Sequence, residues 1–303
     1  MTEFTDFQQK ISALLPNIDL RFAERLAKHT SFRIGGPSEV MAFPKNAQEL
    51  SELLRAAAQL QVRPAILGAG TNVLAPDDGL PGLCICLKDC MDGMELLEGN
   101  RIRVMAGVTM TRAAVFAANH GLSGMEFAHG IPGSVGGGVY MNAGAYGGEI
   151  RDICESVDMM DMQGNLRTLT NDEMQFSYRH SVLEDEGGIV VSAVFRLQPQ
   201  NPEDIKAKMK ELQGKRSASQ PLDLPSAGSA FKRPVGGYAA ALIDQAGLKG
   251  FAVGGAAIST KHAGFAVNLG GATAEDVKKL LQQVSDIVFD HSGIRLEPEV
   301  RIW

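Results

Sequence analysis

The patterning of the chain predicts an α+β fold, on three observations. Helix-period and strand-period segments follow one another without the regular βαβ repeat of a doubly wound parallel sheet. The strand-like runs are short and punctuated by turn residues, as in mixed sheets. Two glycine-rich stretches, Leu67–Leu74 and Glu126–Glu149, lie between such runs and are too rich in glycine to be simple turns.

Residues 1–28 read as an N-terminal helical segment. Phe7, Ile11, Leu14 and Leu15, then Phe22 and Leu26, take apolar positions around a break at Pro16. Asn46 to Gln61 has the pattern of a helix: Asn46 and Glu49 make a capping-box pair, and Leu50, Leu53, Leu54 and Ala57 share a face. Strands are expected at 65–67 (AIL), 83–87 (LCICL) and 101–107 (RIRVMAG). Thr109 to His120 is a second helix, with Thr109 as N-cap and Gly121 as its stop. Three β-rich runs follow the longer glycine stretch: SVDMMD, LRTLT and GGIVVSAVFRLQ.

The character of the chain changes near Asn201. Pro202 to Gly214 reads as a charged amphipathic helix connecting two domains, and a basic, proline-punctuated loop, GKRSASQPLDLPSAGSAFKRP, comes next. A helix at 237–246, strands in FAVGGAAI and GFAVNLG, a capped amphipathic helix from Thr273 to His291 and a short strand, EVRIW, complete the chain. The expected organisation is an N-terminal segment at 1–28, a first domain at 29–200 and a second at 201–303.

With 303 residues, 45% of them hydrophobic and 21% charged, the composition is that of an ordinary globular protein. A net charge of −6 and a pI of about 5.6 argue against a nucleic-acid-binding surface. The N-terminal MTEFTDFQQK carries acids and lacks the apolar core of a signal peptide. The best candidate for an apolar span, Gly250 to Gly270, is interrupted by Lys261 and His262, so no membrane insertion is expected. A soluble, cytoplasmic protein is the expectation. Cys84, Cys86 and Cys90 are spaced C-x-C-x3-C with no nearby His, and alternation places Cys84 and Cys86 on one strand face as small hydrophobes. Cys154 stands apart, and no metal site is expected.

Function is concentrated in the glycine. Glu126–Glu149, EFAHGIPGSVGGGVYMNAGAYGGE, holds eight of the 34 glycines and almost no charge. Such a run is tolerated where main-chain N–H groups must approach something large, usually a phosphate-bearing cofactor. LGAGTNVL, after the strand-like PAIL, suggests a second contact of the same kind. It is no dinucleotide fingerprint, because the third glycine is missing and no helix pattern follows directly, and no Walker lysine follows any glycine cluster. Tight turns in a glycine-rich sheet protein are the bland alternative.

GAGTNVL, GIPGSVGG followed by NAGAYGGE, SYRHS, PSAGSAFKRP and LEPEVRI occur in an order and spacing that resemble the UDP-N-acetylenolpyruvoylglucosamine reductases (the MurB family), flavoenzymes of bacterial peptidoglycan synthesis. The resemblance runs from about His29, including TSFRIGGP at 30–37, to the C-terminus. It implies an FAD-binding domain of the vanillyl-alcohol-oxidase (PCMH) type plus a C-terminal α+β substrate-binding domain. It further implies non-covalent FAD, NADPH as co-substrate, and a role in cell wall biogenesis, cell shape and division. Gly68, Ala69, Gly70, Thr71, Asn72 and Val73 would hold part of the FAD pyrophosphate. Gly130, Ile131, Pro132, Gly133, Ser134, Val135, Gly136 and Gly137, with Asn142 and Arg216, would approach the rest. His129, beside the loop, could be read as a covalent flavin site, but the family binds FAD without one. Gly138 stands where the family is expected to have alanine.

The implied reaction passes hydride from NADPH by way of FAD to the β-carbon of an enolpyruvyl ether, and the adjoining carbon then takes a proton. By resemblance Arg179 in SYRHS is the cation for the substrate carboxylate, Ser229 the proton donor and Glu299 their acidic partner. Taken alone, an arginine at a strand end is often a surface residue, and a serine after glycine is ordinarily a turn residue. Tyr178, Gln220 and Lys232 are candidate substrate contacts, with Arg233 a further cation. No insert lies between SYRHS and the basic loop, so the chain resembles the shorter subtype that lacks an extra tyrosine-bearing loop, and how the uridine end is covered stays open. Two rivals remain: another FAD-dependent oxidase or dehydrogenase of the same fold, and a non-catalytic nucleotide-binding module. No Ser-His-Asp arrangement or G-x-S-x-G elbow supports a hydrolase.

Overall fold

A computed structural model describes residues 5–303, and the chain divides into two compact units. One comprises the N-terminal stretch up to Ala23, Glu39–Ala69 and Pro81–Gly214; the other comprises Glu24–Ser38, Gly70–Leu80 and Lys215–Trp303. The sequence draws one boundary near residue 200, but the units are interleaved and change over at 214/215. Strand pairing joins chain segments far apart in sequence, which no local composition shift marks.

The first unit is built on a five-stranded antiparallel sheet in the order Leu166–Thr170, Cys154–Met160, Ile189–Arg196, Arg101–Met105, Met94–Leu97. Ile189–Arg196 is buried at every position but its last, so its continuous apolar run is the signature of a central strand covered on both faces. A four-stranded sheet takes the order Asp19–Arg25, Pro37–Phe43, Leu80–Cys86, Ala65–Leu67. The helix Ala47–Gln59 buries Leu50, Leu53, Leu54 and Ala57, and its N-cap Asn46 accepts from the Glu49 N–H. Met110–Asn119 is capped in the same way by Thr109.

Two local expectations change, and one helix appears that the sequence reading did not name. Among the described residues the helical reading of 1–28 holds for Asp6–Leu14 and for one 3-10 turn at Leu26–Lys28, while residues 1–4 of that segment lie outside the described residues. After Pro16 the chain runs as the strand Asp19–Arg25, whose alternating exposure and place beside Pro37–Phe43 favour extended backbone over the helical spacing of Phe22 and Leu26. The helix expected to end at Gly214 continues from Pro202 to Ser219. A glycine inside an exposed helix costs about 1 kcal/mol, too little to end it. The glycine stretch itself contains a short helix, Val135–Tyr140, which its composition argues against.

The second unit packs the helix Ala274–Ser292 against a small antiparallel sheet ordered Ser226–Ser229, Phe265–Asn268, Ala256–Ile258, Ala252–Val253. Val277, Leu280, Leu281, Val284 and Val288 form the helix's buried face, in one core with Phe231, Ile243, Ile258 and Leu296. Each such side chain stabilises by about 1.5–3 kcal/mol before entropy is counted. Thr273 and Asp276 close a capping box at the helix start, and Gly293, at φ +73°, ends it. The Asp77 carboxylate also accepts from the N–H groups of Ala274 (2.8 Å) and Glu275 (3.2 Å), an anion at the positive end of the helix dipole. Among the described residues no helix is long and apolar enough to cross a membrane.

Candidate functional site

In the first unit, the short helix Val135–Tyr140 is pinned to the segment ending the strand Arg101–Met105. The Val135 and Gly136 N–H groups donate to the carbonyls of Val108 (2.8 Å) and Ala106 (2.9 Å). The backbones are so close that a Cβ on Gly136 would lie 2.9 Å from Ala106 Cβ. Gly133, at φ +147°, turns the chain into this helix, and its carbonyl accepts from Met110 N–H. Gly68 reaches the same place: a Cβ there would lie 2.7 Å from Ser134 Oγ. That hydroxyl is buried without a hydrogen-bond partner among the described residues. An unmade hydrogen bond of this kind costs about 1–3 kcal/mol, so the position favours an incoming acceptor. A bare glycine backbone facing an unused hydroxyl suits a phosphate oxygen. Nearby, the His129 carbonyl accepts from Thr111 Oγ1 (2.6 Å), and burial lowers the pKa of its imidazole.

Arg179 lies in a tight turn of the first unit. The N–H of His180 donates to the Ser177 carbonyl (3.2 Å) and that of Ser177 to the His180 carbonyl (3.1 Å), leaving Tyr178 and Arg179 at the tip. Arg179 has φ +57°, the left-handed conformation the second tip position of a type II turn demands and glycine ordinarily supplies. An arginine held there costs about 1–2 kcal/mol, a strain typical of functional positions. Its Nη2 donates to Gly144 O (3.2 Å), and its guanidinium lies 5.1 Å from the centroid of the half-exposed Tyr178 ring.

Asn142 secures this turn. Fully buried, it donates from Nδ2 to Ser177 O (2.9 Å) and Glu149 Oε2 (3.2 Å) and accepts at Oδ1 from Arg151 N–H (2.9 Å). Its side chain thus ties the glycine stretch to SYRHS, a structural duty that the sequence reading, which gave it to the cofactor, did not include.

In the second unit the chain's last residues meet the latter half of the GAGTN loop. Arg301–Ile302 pairs parallel with Val73–Leu74. Asn72 Nδ2 donates to Glu299 O (3.1 Å), and Arg301 N–H donates to Asn72 O (2.9 Å). Glu299 N–H in turn donates to the carbonyl of Ala230 (3.0 Å), the neighbour of Ser229. Asn72, Glu299 and Ser229, from three distant motifs, therefore share one backbone network. The strand Ser226–Ser229 carries a bulge with Gly228 at φ +76°, after which Ser229 is exposed opposite Phe265. Bulges of this kind re-aim a side chain beside an active site. Gly70, at φ +62°, is equally constrained, since a Cβ would fall 2.1 Å from His29 O.

Arg216 is buried on the extended helix and donates from Nη1 to Gln220 Oε1 (3.3 Å), which unites two of the expected residues. Lys232 forms an ion pair with the exposed Glu297, so a substrate phosphate would have to compete for it. Sequence reasoning missed Ser31, whose hydroxyl donates to Ser226 O (2.6 Å), although it sits inside TSFRIGGP. It also missed Lys261, whose Nζ donates to Ser217 O (2.7 Å) and which carried no motif. Cys84 and Cys86 are buried, and burial pushes their thiols up to about 12 and about 11. Among the described residues no group of three His, Cys, Asp or Glu could hold a metal ion.

The family model for the UDP-N-acetylenolpyruvoylglucosamine reductase C-terminal domain matches residues 220–303, and one for an FAD binding domain matches 38–170. A UDP-N-acetylenolpyruvoylglucosamine reductase of Caldanaerobacter subterraneus subsp. tengcongensis is 44% identical over 97% of this chain and 96% of its own length. The chain belongs to the UDP-N-acetylenolpyruvoylglucosamine reductase family. A reductase of that name from Latilactobacillus sakei is 45% identical over 94% of this chain and 93% of its own. The crystal structure of the Thermus caldophilus reductase superposes with a TM-score of 0.80 at 35% identity, covering 95% of this chain and 99% of that one. Like others of the family, this chain is an FAD-containing oxidoreductase. The cradle at Gly68 and Ser134 lies within the matched FAD-binding region, and its bare backbone and unused hydroxyl fit the cofactor's pyrophosphate.

Proposed function

We propose that this protein reduces UDP-N-acetylglucosamine enolpyruvate to UDP-N-acetylmuramate in the cytoplasm, with NADPH as the hydride source. What carries the reading is 44% identity to a reductase of this name across nearly the full length of both chains. When bound, FAD would supply the hydride-transfer chemistry that links NADPH to the β-carbon of the enolpyruvyl ether. Gly68 to Val73 and Gly130 to Gly137, aided by Arg216, would hold it through the Ser134 hydroxyl and main-chain N–H groups other than those of Ile131, Val135 and Gly136, which already donate to carbonyls of the protein. Asn142 contributes by fixing the turn that carries Arg179.

The chain's own residues then serve the second half-reaction. Hydride arrival at the β-carbon leaves an electron pair on the α-carbon, delocalised into the carboxylate. Arg179 holds that carboxylate through its planar fork, and Tyr178 supports it. The hydrogen bond from Arg179 Nη2 to Gly144 O holds the guanidinium before substrate arrives, so little reorganisation is needed as charge develops. Ser229 Oγ gives its proton to the α-carbon and, being exposed, recovers one from water. Glu299 is the acidic partner of this transfer, and Lys232 and Gln220 contact the rest of the substrate.

One anaerobic cycle of the visible spectrum tests the reading. NADPH should bleach the bound flavin, and after excess NADPH is removed only the UDP-enolpyruvyl substrate should restore the yellow band. A flavin that bleaches but is not reoxidised by this substrate would refute the proposed substrate, and a protein that never binds flavin would refute the whole reading.

A further inference from the structure

The second unit holds an aromatic surface that the reaction above leaves unused. Three residues after Ser229 begins Lys-Arg-Pro-Val-Gly-Gly-Tyr, residues 232–238, with two cations and no acid. Tyr238 is 61% exposed, and Arg233 Cζ lies over its ring, 4.1 Å from the centroid. The backbone beneath the ring is fixed, because Tyr238 starts the helix Ala239–Gln245 and its carbonyl accepts from the N–H groups of Ala241 (3.0 Å) and Leu242 (3.1 Å). The preceding stretch is open. Val235 is 97% exposed, Gly236 takes φ +85°, and a Cβ on Gly236 or Gly237 would meet nothing within 4 Å.

We propose that Tyr238, braced by Arg233, is the stacking platform for the uracil base of the substrate's UDP group. The inference rests on the reductase reading, which makes the ligand a uridine diphosphate, and adds the residues that receive the base. A ring held by a guanidinium on a fixed backbone is flat and already ordered, so stacking a base on it costs little side-chain entropy. Every nucleobase presents a π-face to such a ring, and Arg233 and Lys232 lie beside it in sequence with charge suited to the two phosphates. Lys232 exchanges its ion pair with Glu297 for a phosphate contact when the nucleotide arrives.

The test titrates the FAD-loaded protein with UDP and, separately, with inorganic pyrophosphate, and measures kcat and KM for the enolpyruvyl substrate. Tyr238→Ala should weaken UDP binding about ten-fold and raise KM by a similar factor with kcat little changed, while pyrophosphate binding stays within two-fold. Tyr238→Phe, which keeps the ring, should restore UDP binding, and Arg233→Ala should weaken both UDP and pyrophosphate. FAD absorbance and Tm report that each variant is folded. Wild-type affinity for UDP in Tyr238→Ala, or an equal loss for UDP and pyrophosphate, would overturn the platform. A wild-type protein that loads FAD yet binds no UDP would overturn the reductase reading itself, before any variant is made.

Discussion

Two glycines of the same short helix should respond unequally to alanine. Gly136 and Gly138 both lie in Val135–Tyr140, and both are buried. Each substitution gains about 1 kcal/mol from helix propensity. At Gly136 the new methyl would sit 2.9 Å from Ala106 Cβ and 3.2 Å from Ala106 O, atoms that belong to or hang directly on a buried backbone. Nothing there rotates away, so the helix must withdraw by several tenths of an ångström. That stretches the 2.9 Å Gly136–Ala106 and 2.8 Å Val135–Val108 hydrogen bonds. Overpacking of this kind costs about 1–3 kcal/mol, and weakening a buried hydrogen bond adds about 1 kcal/mol. The net expectation for Gly136→Ala is a loss of about 1–3 kcal/mol. At Gly138 the obstacle is the Met110 side chain, with Sδ at 2.8 Å and Cε at 3.3 Å. A thioether on rotatable bonds can step aside, so Gly138→Ala should end within about 1 kcal/mol of the parent. Thermal unfolding of the FAD-free protein should therefore place Gly136→Ala about 2–12 °C below Gly138→Ala, at about 2–4 °C per kcal/mol for a body of this size. Equal melting temperatures, or Gly138→Ala the less stable, would refute the packing argument.

Ser134→Ala should weaken FAD binding about ten-fold or more by removing a donor to a charged acceptor, while the FAD-free protein melts no lower because a buried unpaired hydroxyl has gone; equilibrium dialysis against FAD and a melting curve measure the two effects. Arg179→Lys should lower kcat/KM for the enolpyruvyl substrate by about 100-fold, since an ammonium cannot follow a carboxylate with two parallel hydrogen bonds; steady-state kinetics decide it, and a loss below about five-fold would remove Arg179 from the reacting centre. Burial lowers the pKa of His262, whose Nδ1 accepts from Gly264 N–H (3.1 Å), so the unfolded chain binds the proton more readily. Stability linked to this group is then full above the ordinary histidine value of about 6.5 and falls as pH drops below it. His262→Gln should flatten that limb in a series of melting curves from pH 7 to pH 5, and an unchanged slope would refute the assignment.

Much of the fold could be read locally. The helices Ala47–Gln59, Met110–Asn119 and Ala274–Ser292 announced themselves because caps and a 3.6-residue apolar period are local signals. The strand Asp19–Arg25 did not, because the spacing of Phe22 and Leu26 imitates a helix and only pairing with a distant strand decides between them. The helix Val135–Tyr140 stayed hidden since its glycines are selected by the closeness of Ala106 and Met110, against their own propensity. The motifs supplied Ser229, Arg179 and Glu299 as candidates, yet no motif disclosed that Asn142 spends its side chain on the Arg179 turn or that Ser31 ties to Ser226.

The sequence by itself determined the elements with strong local signals, the two glycine loops and, through five ordered motifs, the family. These depend on backbone conformations and residue types that neighbours in the chain specify. Only the tertiary structure decided that the units are interleaved, that Asn72 meets Glu299, that Gly228 re-aims Ser229, and that Ser134 is left with a buried, unused hydroxyl. Each of these turns on hydrogen bonds or close approaches between residues far apart in the chain, and such pairings are set by the packing of the whole unit.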